Sequence, residues 1–322
     1  MEITVPYYED VSRISNSNIG WFIKYGPAYL HKMLTNPPEE DSTAAMKRGT
    51  MIHMYLLQPV EFVKTYEQLD MTEPKSVNQR KFCTVLAYTT EIEPDLALLS
   101  AYKYAYSTTG QSDDLILSKA KEMASTFKSY IKYLKNETSK IKISRYDVAM
   151  LENIRDNIDN HKLAKELLNP SKGETHHEFH INWEFGGVKC KSLLDSINFD
   201  IENKICTIVD LKTTVHIGCF EESMKEYDYL RQLCFYWMAA RWYLLNELDE
   251  NPTSWKYTFY IVAIDTVGDN EIRVFKITEE QLFTRCNVIT NTLDEIRWHQ
   301  ETGNWEHHRE YYEGDGSETL NL

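Results

Sequence analysis

A change in the hydrophobic period near residue 174 constrains the fold of this 322-residue chain more than any other feature. Up to that point apolar residues recur at three- and four-residue spacing, which is typical of amphipathic helices. Beyond it apolar and polar residues alternate, which is typical of strands. The alternating stretches are 175–185, 188–200 and 204–214. Gly186-Gly187 and Ile201 to Lys204 separate them, so the pattern predicts three strands joined by hairpin turns.

Two further strands and two helices complete the predicted α/β region. One long helix is predicted from about 219 to 247, and a last helix from 278 to 300. Two more alternating stretches, 256–265 and 271–277, lie between these helices. The order strand-strand-strand-helix-strand-strand-helix predicts a mixed α/β core.

The chain before residue 174 is predicted to be helical in two parts. The first extends to about residue 65, and its candidate helix starts are Ser15 or Ser17, Pro27, and Ser42 or Thr43. The second is a polar helical insertion with no chemistry of its own. We also expect a loop at 36–38 and a frayed tail from 310 onwards. The predicted divisions are therefore 1–65, 66–170 and 171–322.

The third alternating stretch carries a charged pair at the end of an apolar run. Asp210 and Lys212 lie two residues apart, so on a strand they share one face. The preceding residues, 205–209, are typical of a strand covered on both faces. A charged pair there is costly unless it has a partner or a task. The alternative interpretation is a simple surface ion pair.

A second aspartate interrupts the preceding strand. If the hairpin pairs the two strands antiparallel, Asp195 lies roughly opposite residue 210. Two carboxylates that close need a cation, and hard oxygen ligands suit Mg²⁺ or Mn²⁺. Such an ion would activate a water for phosphodiester hydrolysis, and Lys212 would orient that water or stabilise the developing charge. The residues alone therefore predict a metal-dependent nuclease centre.

Composition limits the setting of this chemistry. The net charge of −14 means that any basic surface for DNA is confined to a groove. The six cysteines form no C-x-x-C motif, which favours free thiols and argues against an iron–sulfur cluster. We see neither a membrane span nor a signal peptide, so we expect a cytoplasmic protein, in the host cytoplasm if it is phage-encoded.

Several motifs occur in one order along the chain. A serine-rich entry helix, ISNSNIGWFIKYGPAYLHKML, begins the set at Ile14. It is followed by G-T-x-x-H ending at His53, Glu178 on the first strand, Lys191 to Asp195 on the second, D-L-K-T-T from Asp210, and Q-x-x-x-Y from Gln232. In this set the chain resembles the PD-(D/E)XK nucleases, specifically the RecE-like and phage-type exonucleases of the exodeoxyribonuclease VIII kind. The stretch 66–165 is the poorest match.

The resemblance implies a restriction-endonuclease-like α/β fold with a mixed central sheet flanked by helices, an N-terminal helical region that carries the G-T-x-x-H motif, and a helical insertion. It also implies roles for individual residues. Asp195 and Asp210 would bind the metal, with the Leu211 carbonyl as a further ligand, and Lys212 would be the catalytic lysine. His53 would bind or tune the metal, and Glu178 would support catalysis. The residues implied to contact DNA or brace the site are Lys191, Thr213, Thr214, Gln232 and Tyr236.

Each implied role has a structural alternative. His53 lies on an amphipathic helix, where a histidine is more often a hydrogen-bonded core residue. Strict alternation would put Glu178 on one polar face with His176 and His180, where zinc is conceivable. Gln232 and Tyr236 share one helix face and could simply pack on the sheet.

The function that the resemblance implies is a Mg²⁺-dependent exonuclease. It would resect double-stranded DNA from 5′ ends in phage-type recombination, together with a single-strand annealing protein. A structure-specific endonuclease and a non-catalytic DNA-processing factor are the alternatives. A homo-oligomer is compatible with the family, and the absence of G-x-x-x-x-G-K-[ST] argues against a helicase fusion.

Overall fold

The structure is a computed structural model that describes residues 6–37, 42–68, 71–90, 93–135 and 140–318. Its helices are α1 (Asn16–Thr35), α2 (Ala44–Leu57), α3 (Pro59–Thr65), α4 (Val77–Tyr88), α5 (Pro94–Ala105), α6 (Asp113–Thr126), α7 (Lys128–Lys135), α8 (Arg145–Asn160), α9 (Lys162–Leu168), α10 (Phe220–Glu226), α11 (Tyr229–Asn246), α12 (Glu279–Thr302) and α13 (Arg309–Glu313). Its strands are β1 (Tyr66–Gln68), β2 (Ile141–Ile143), β3 (Glu174–Phe185), β4 (Val188–Asp200), β5 (Ile205–Thr214), β6 (Lys256–Asp265) and β7 (Ile272–Ile277).

The chain forms two compact units. The sheet unit comprises Met1–Pro59 and Met150–Leu322, and the helical unit comprises Val60–Ala149. The helical unit begins and ends earlier than the insertion predicted at 66–170. The residues from Met150 onwards belong to the sheet unit because α8 is tied to it. Asn153 and Asn157, for example, donate side-chain hydrogen bonds to the backbone carbonyl of Asp269, at 3.0 and 2.8 Å.

Within the described residues, the sheet unit contains one five-stranded sheet with the order β3-β4-β5-β6-β7. Only the β5–β6 pair is parallel, so the sheet is mixed as predicted. Both predicted hairpins are present. Gly186 and Gly187 have φ of +56° and +89°, the left-handed backbone that a tight two-residue turn requires.

One face of the sheet forms the main core with α1, α11 and α12. Because successive strand residues point to opposite faces, Cys206 and Ile208 of β5 enter this core, and the same face continues to Asp210 and Lys212. The charged end of β5 is therefore covered by α11.

The predicted helix ends are confirmed in the first region. Ser15 caps α1 and Thr43 caps α2, each accepting a hydrogen bond from a backbone amide in the first turn of its helix. Gly26, with φ of +81°, kinks α1 immediately before Pro27.

The prediction of a single helix from 219 to 247 is wrong. It is broken at Asp228, which has φ of +48° and separates α10 from α11. The Asp228 carboxylate accepts a hydrogen bond from the Arg231 amide, and so caps the new helix. A local capping interaction outweighs the continuous helical pattern at this point.

The helical unit has its own core. Its central residues are Phe82, Cys83, Ala101, Ile116, Ala120 and Ile131, contributed by α4, α5, α6 and α7. The sequence did not predict its parallel strands β1 and β2, because three residues are too few to show a period.

The predicted frayed tail is ordered as far as it is described. It contains α13, and the neighbouring His308 packs edge-on against Phe22 of α1, with ring centroids 5.4 Å apart. Pro38 of the predicted loop and residues 319–322 of the tail lie outside the described residues. No helix among the described residues is long and apolar enough to cross a membrane.

Candidate active site

The end of β5 holds a buried ion pair. Lys212 Nζ lies 2.7 Å from Asp210 Oδ2, and the Asp210 side chain is completely buried. Among the described residues Asp210 Oδ1 has no hydrogen-bond partner, and Oδ2 meets only the Lys212 ammonium. A buried carboxylate in this condition is costly, which is typical of a group held for a ligand rather than for stability.

Asp195 reaches the same point from β4. The register pairs Ser196 with Val209, and its next step sets Asp195 beside Asp210, as the hairpin geometry predicted. The Leu211 amide donates a 2.6 Å hydrogen bond to Asp195 Oδ2. This bond fixes one carboxylate oxygen and leaves Oδ1 available on the other side.

Glu178 opposes Asp195 from β3 in a strained conformation. Its φ is +48° in the middle of a strand, where a residue with a side chain is rarely found. This conformation interrupts the alternation of side chains that was expected to group Glu178 with His176 and His180. The His176 ring stacks on the Phe179 ring, with centroids 4.6 Å apart, whereas the His180 ring meets the Tyr7 ring edge-on, with centroids 5.2 Å apart. The three residues therefore do not form a common site.

His53 enters the site from α2. Its Nδ1 lies 3.5 Å from Asp195 Oδ1 and 4.0 Å from Glu178 Oε1. The glycine one turn earlier makes this approach feasible. A Cβ atom on Gly49 would lie 3.2 Å from Thr213 Oγ1, a tight contact, so glycine allows α2 to lie close to β5. The glycine of the G-T-x-x-H motif thus has a packing role.

The arrangement fits a divalent metal ion. One ligand atom each from His53, Glu178 and Asp195 can be chosen so that all three lie within 4.8 Å of one another. Asp210, the strand neighbour of Asp195, lies beside this group, and its Oδ1 has no hydrogen-bond partner among the described residues. One imidazole and three carboxylates form a mostly hard donor set with negative charge to neutralise.

Burial and neighbouring charges separate the pKa values of the three carboxyl groups. Burial and the neighbouring Asp195 raise the pKa of Glu178 to about 7. Burial also raises the pKa of Asp210 to about 6, because it outweighs the ion pair with Lys212. For Asp195 burial acts in the same direction, but His53, Lys212 and the Leu211 amide together lower its pKa. Carboxylates with separated pKa values in one cavity are typical of functional sites.

The two basic groups respond in the opposite sense. Burial alone would lower the pKa of His53 and of Lys212. The carboxylates around them outweigh burial, so both pKa values are raised. Lys212 is therefore held as an ammonium ion, a compact positive charge suited to stabilising negative oxygen.

Helix α11 forms one wall of the site. Gln232 Nε2 donates a 2.7 Å hydrogen bond to Tyr236 Oη, and both side chains line the same cavity as His53. Sequence reasoning missed a third residue of this helix face. The Lys212 ammonium lies 4.9 Å from the centre of the Tyr229 ring, within cation–π range. Tyr229, Gln232 and Tyr236 are spaced by three and four residues, so the helical period alone could have placed Tyr229 on this face.

Tyr229 gives a testable expectation for Lys212. We expect Tyr229→Leu to lower kcat for DNA cleavage by about 2- to 30-fold, since a cation–π contact contributes about 0.5–2 kcal/mol. Tyr229→Phe keeps the ring and should retain the wild-type rate. Steady-state cleavage by the three proteins makes the comparison. Equal losses in the Leu and Phe variants would show that the ring does not act on Lys212.

Lys191 is not placed to contact DNA. Its side chain is buried, and Nζ donates hydrogen bonds to the carbonyls of Tyr7 and Asp10. It therefore fixes the segment before α1, from which Tyr7 lines the site cavity. The structure thus gives Lys191 a bracing position, because two backbone carbonyls already occupy its ammonium group.

Two adjoining cavities surround the site. The larger, of about 600 Å³, is lined by His53, Glu178, Asp195, Lys212, Gln232 and Tyr236, together with Tyr7 and Tyr8. Thr213 and Thr214 instead line a cavity of about 300 Å³ with Arg48, His216 and Ser223. The chain passes from one cavity to the other through Lys212 and Thr213, which are adjacent residues.

Comparisons with known proteins agree with this geometry. Comparison with curated proteins finds no match. A solved structure from Eubacterium rectale, described as a candidate exonuclease, is 14% identical in sequence and superposes with a TM-score of 0.51. The superposition covers 100% of this chain and 97% of the other, and at this identity it supports the fold alone. Residues 15–313 match the family described as a PDDEXK-like domain of unknown function (DUF3799). Since that match covers most of the chain, the protein belongs to this PDDEXK-like family and has a nuclease-like fold.

Proposed function

We propose that this protein is a metal-dependent deoxyribonuclease whose centre is formed by His53, Glu178, Asp195, Asp210 and Lys212. The observation that carries the proposal is their convergence from four separate elements. Residues on α2, β3, β4 and β5 meet within one cavity, and three of their ligand atoms lie within 4.8 Å of one another. A structural ion pair would need only Asp210 and Lys212.

The metal would be held by His53, Glu178, Asp195 and Asp210, with the Leu211 carbonyl as a candidate further ligand. Mg²⁺ or Mn²⁺ supplies Lewis acidity towards the phosphate and lowers the pKa of a bound water. The chain's own residues supply the rest. Leu211 donates its amide to Asp195 and so orients that carboxylate. Lys212, held by Asp210 and Tyr229, stabilises negative charge on the phosphate oxygens.

The smaller cavity is suited to the DNA backbone next to the cleaved bond. It offers the Arg48 guanidinium and the hydroxyl groups of Thr213, Thr214 and Ser223, all of which can donate to phosphate oxygens. We assign Thr213 and Thr214 to this contact. A short local row of donors also accounts for DNA binding by a protein with net charge −14. Gln232 and Tyr236 would bound the path on the opposite side.

Within this activity we propose an exonuclease that acts on double-stranded DNA ends from 5′ to 3′, of the RecE-like kind, and that serves recombination with an annealing protein. The order of motifs supports this choice over an endonuclease. The Eubacterium rectale neighbour is also described as a candidate exonuclease. At 14% identity, however, the comparison supports only a shared fold.

Linear and closed circular duplexes of one sequence test the proposal. With Mg²⁺ or Mn²⁺, we expect progressive loss of the linear duplex, while the covalently closed circle stays intact. A 5′-end label and a 3′-end label on separate samples report the polarity. Cleavage of the closed circle would favour the structure-specific endonuclease. If no DNA is degraded and Asp210→Asn behaves like wild type, the non-catalytic alternative holds.

A further inference from the structure

The helical unit carries a charge balance unlike that of the rest of the chain. Between Val60 and Ala149 there are 13 lysines and arginines and 12 aspartates and glutamates, a balance of +1, whereas the whole chain has −14. Most basic side chains of this unit are already paired. Lys64, Lys103 and Lys121 form ion pairs with Glu61, Asp113 and Asp95, at 2.6, 2.6 and 3.0 Å.

Helix α7 groups three lysines that lack such a partner among the described residues. The three lysines of this helix are exposed: Lys128, Lys132 and Lys135. Their side chains have no ion-pair or hydrogen-bond partner within the part of the chain that the structure describes. At 3.6 residues per turn the three side chains fall within an arc of about 60°, spaced by about 6 Å and about 4.5 Å along the helix axis. Ile131, about 40° from Lys135 around the helix, is buried and packs into the core of the unit. The result is a lysine stripe (Lys128, Lys132 and Lys135).

A shallow apolar groove lies beside this stripe. It has a volume of about 370 Å³, and Lys128 and Lys135 both line it. Its other lining residues are mainly aliphatic: Leu86, Pro94, Ala97, Leu98, Ala124 and Ile131, with Thr89. Ammonium groups next to an apolar floor match a partner that has phosphates on one side and exposed flat apolar rings on the other.

We propose that the lysine stripe and its groove bind single-stranded DNA. This inference rests on the proposed nuclease function, which brings DNA to the protein. A duplex offers phosphates to the lysines but keeps its bases stacked inside, whereas a single strand presents both groups at once. The groove is what favours the single strand, because lysines alone do not distinguish the two forms.

The charge of the rest of the protein explains why such a surface is useful. The residues outside the helical unit carry an excess of acidic groups, so DNA held only by the sheet unit meets a repulsive field. The helical unit is joined to the sheet unit at both of its ends. A weak site on a tethered unit raises the effective concentration of DNA without tight binding.

Binding by the full chain measures this directly. The protein carries Asp210→Asn and the buffer contains EDTA, so that cleavage does not interfere. A fluorescent 20-nucleotide strand and a hairpin duplex of the same sequence are titrated over a range of salt concentrations. The test variant is Lys128→Gln/Lys132→Gln/Lys135→Gln. The matched control, Lys64→Gln/Lys103→Gln/Lys121→Gln, removes three charges from the same unit, but from existing ion pairs.

We expect the test variant to bind the single strand about 10-fold or more weakly, and to reduce its salt slope by about 2, since each single-strand phosphate contact contributes about 0.7. Duplex binding should change less, and the control variant should stay within about twofold of the parent. Equal changes in both triple variants, no change in either, or an equal loss for duplex and single strand would each overturn the proposal.

The groove is tested separately with Thr89→Glu, which places a negative charge in it. Thr84→Glu, on the exposed surface of α4, is the control. We expect only the first to weaken single-strand binding, and identical behaviour would overturn the role of the groove. Failure of the nuclease proposal is distinguishable from failure of this inference. If the cleavage assay leaves DNA intact, the nuclease proposal fails, but the binding results remain valid because they do not depend on cleavage. Unchanged unfolding midpoints establish that all variants fold.

Discussion

Lys212→Met is expected to lower the rate of DNA cleavage by about 10³-fold, because the loss of one group that stabilises transition-state charge has this order of effect. Methionine keeps the length of the side chain and its contact with Tyr229, but it removes the ammonium. Asp210 would then lack its 2.7 Å cation while it stays buried. Single-turnover cleavage of an end-labelled duplex at saturating metal measures the rate constant without interference from product release.

Lys276→Met is the matched control for this substitution. Lys276 is an exposed lysine on β7 of the same sheet, so its substitution removes the same ammonium group outside the site. It should cleave DNA at the wild-type rate. A DNA-binding measurement in EDTA separates the alternatives, because Lys212→Met should bind nearly as well as wild type. If cleavage falls only in proportion to binding, Lys212 acts as a phosphate contact and not in the chemical step.

The strand pattern predicted the central part of the site because it depends on simple geometry. A period of two puts Asp210 and Lys212 on one face, and the length of the second hairpin sets Asp195 beside them. Both depend on register, which the buried faces of β4 and β5 fix strongly. The family motifs added His53, Glu178, Gln232 and Tyr236, and all four line the cavity.

Other features depend on conformations that a hydrophobic pattern does not encode. Glu178 faces the site with a positive φ, a conformation that strict alternation does not predict. Lys191 lies in a motif, yet its ammonium is used by Tyr7 and Asp10 of a segment that the sequence left unassigned. In each case a single local backbone conformation or side-chain contact determines where the side chain lies. Such a contact leaves no periodic pattern in the sequence.

Removal of divalent metal is expected to abolish cleavage completely, and His53→Asn is expected to change which ion restores it. Among the described residues of the site, the imidazole is the nitrogen donor beside three carboxylates. Mg²⁺ depends little on nitrogen ligands, whereas later divalent metals accept imidazole more readily. We therefore expect the half-maximal Mn²⁺ concentration to rise by about 10- to 100-fold in His53→Asn, and that of Mg²⁺ to rise less. Cleavage rates after EDTA treatment, over a titration of each ion, give both values.

Thermal unfolding supplies a second measurement that does not depend on catalysis. An ion that binds only the folded state at 100 times its Kd stabilises that state by about 2.7 kcal/mol, so Mn²⁺ should raise the Tm of the wild type by several degrees. His53→Asn should lose most of this rise, whereas His307→Asn, at a half-buried histidine outside the cavity, should keep it. His53 is not a ligand if His53→Asn changes the half-maximal concentrations of Mn²⁺ and Mg²⁺ equally and the Mn²⁺-induced rise in Tm persists. Its 3.5 Å contact with Asp195 would then orient a carboxylate, and the metal would depend on oxygen donors alone.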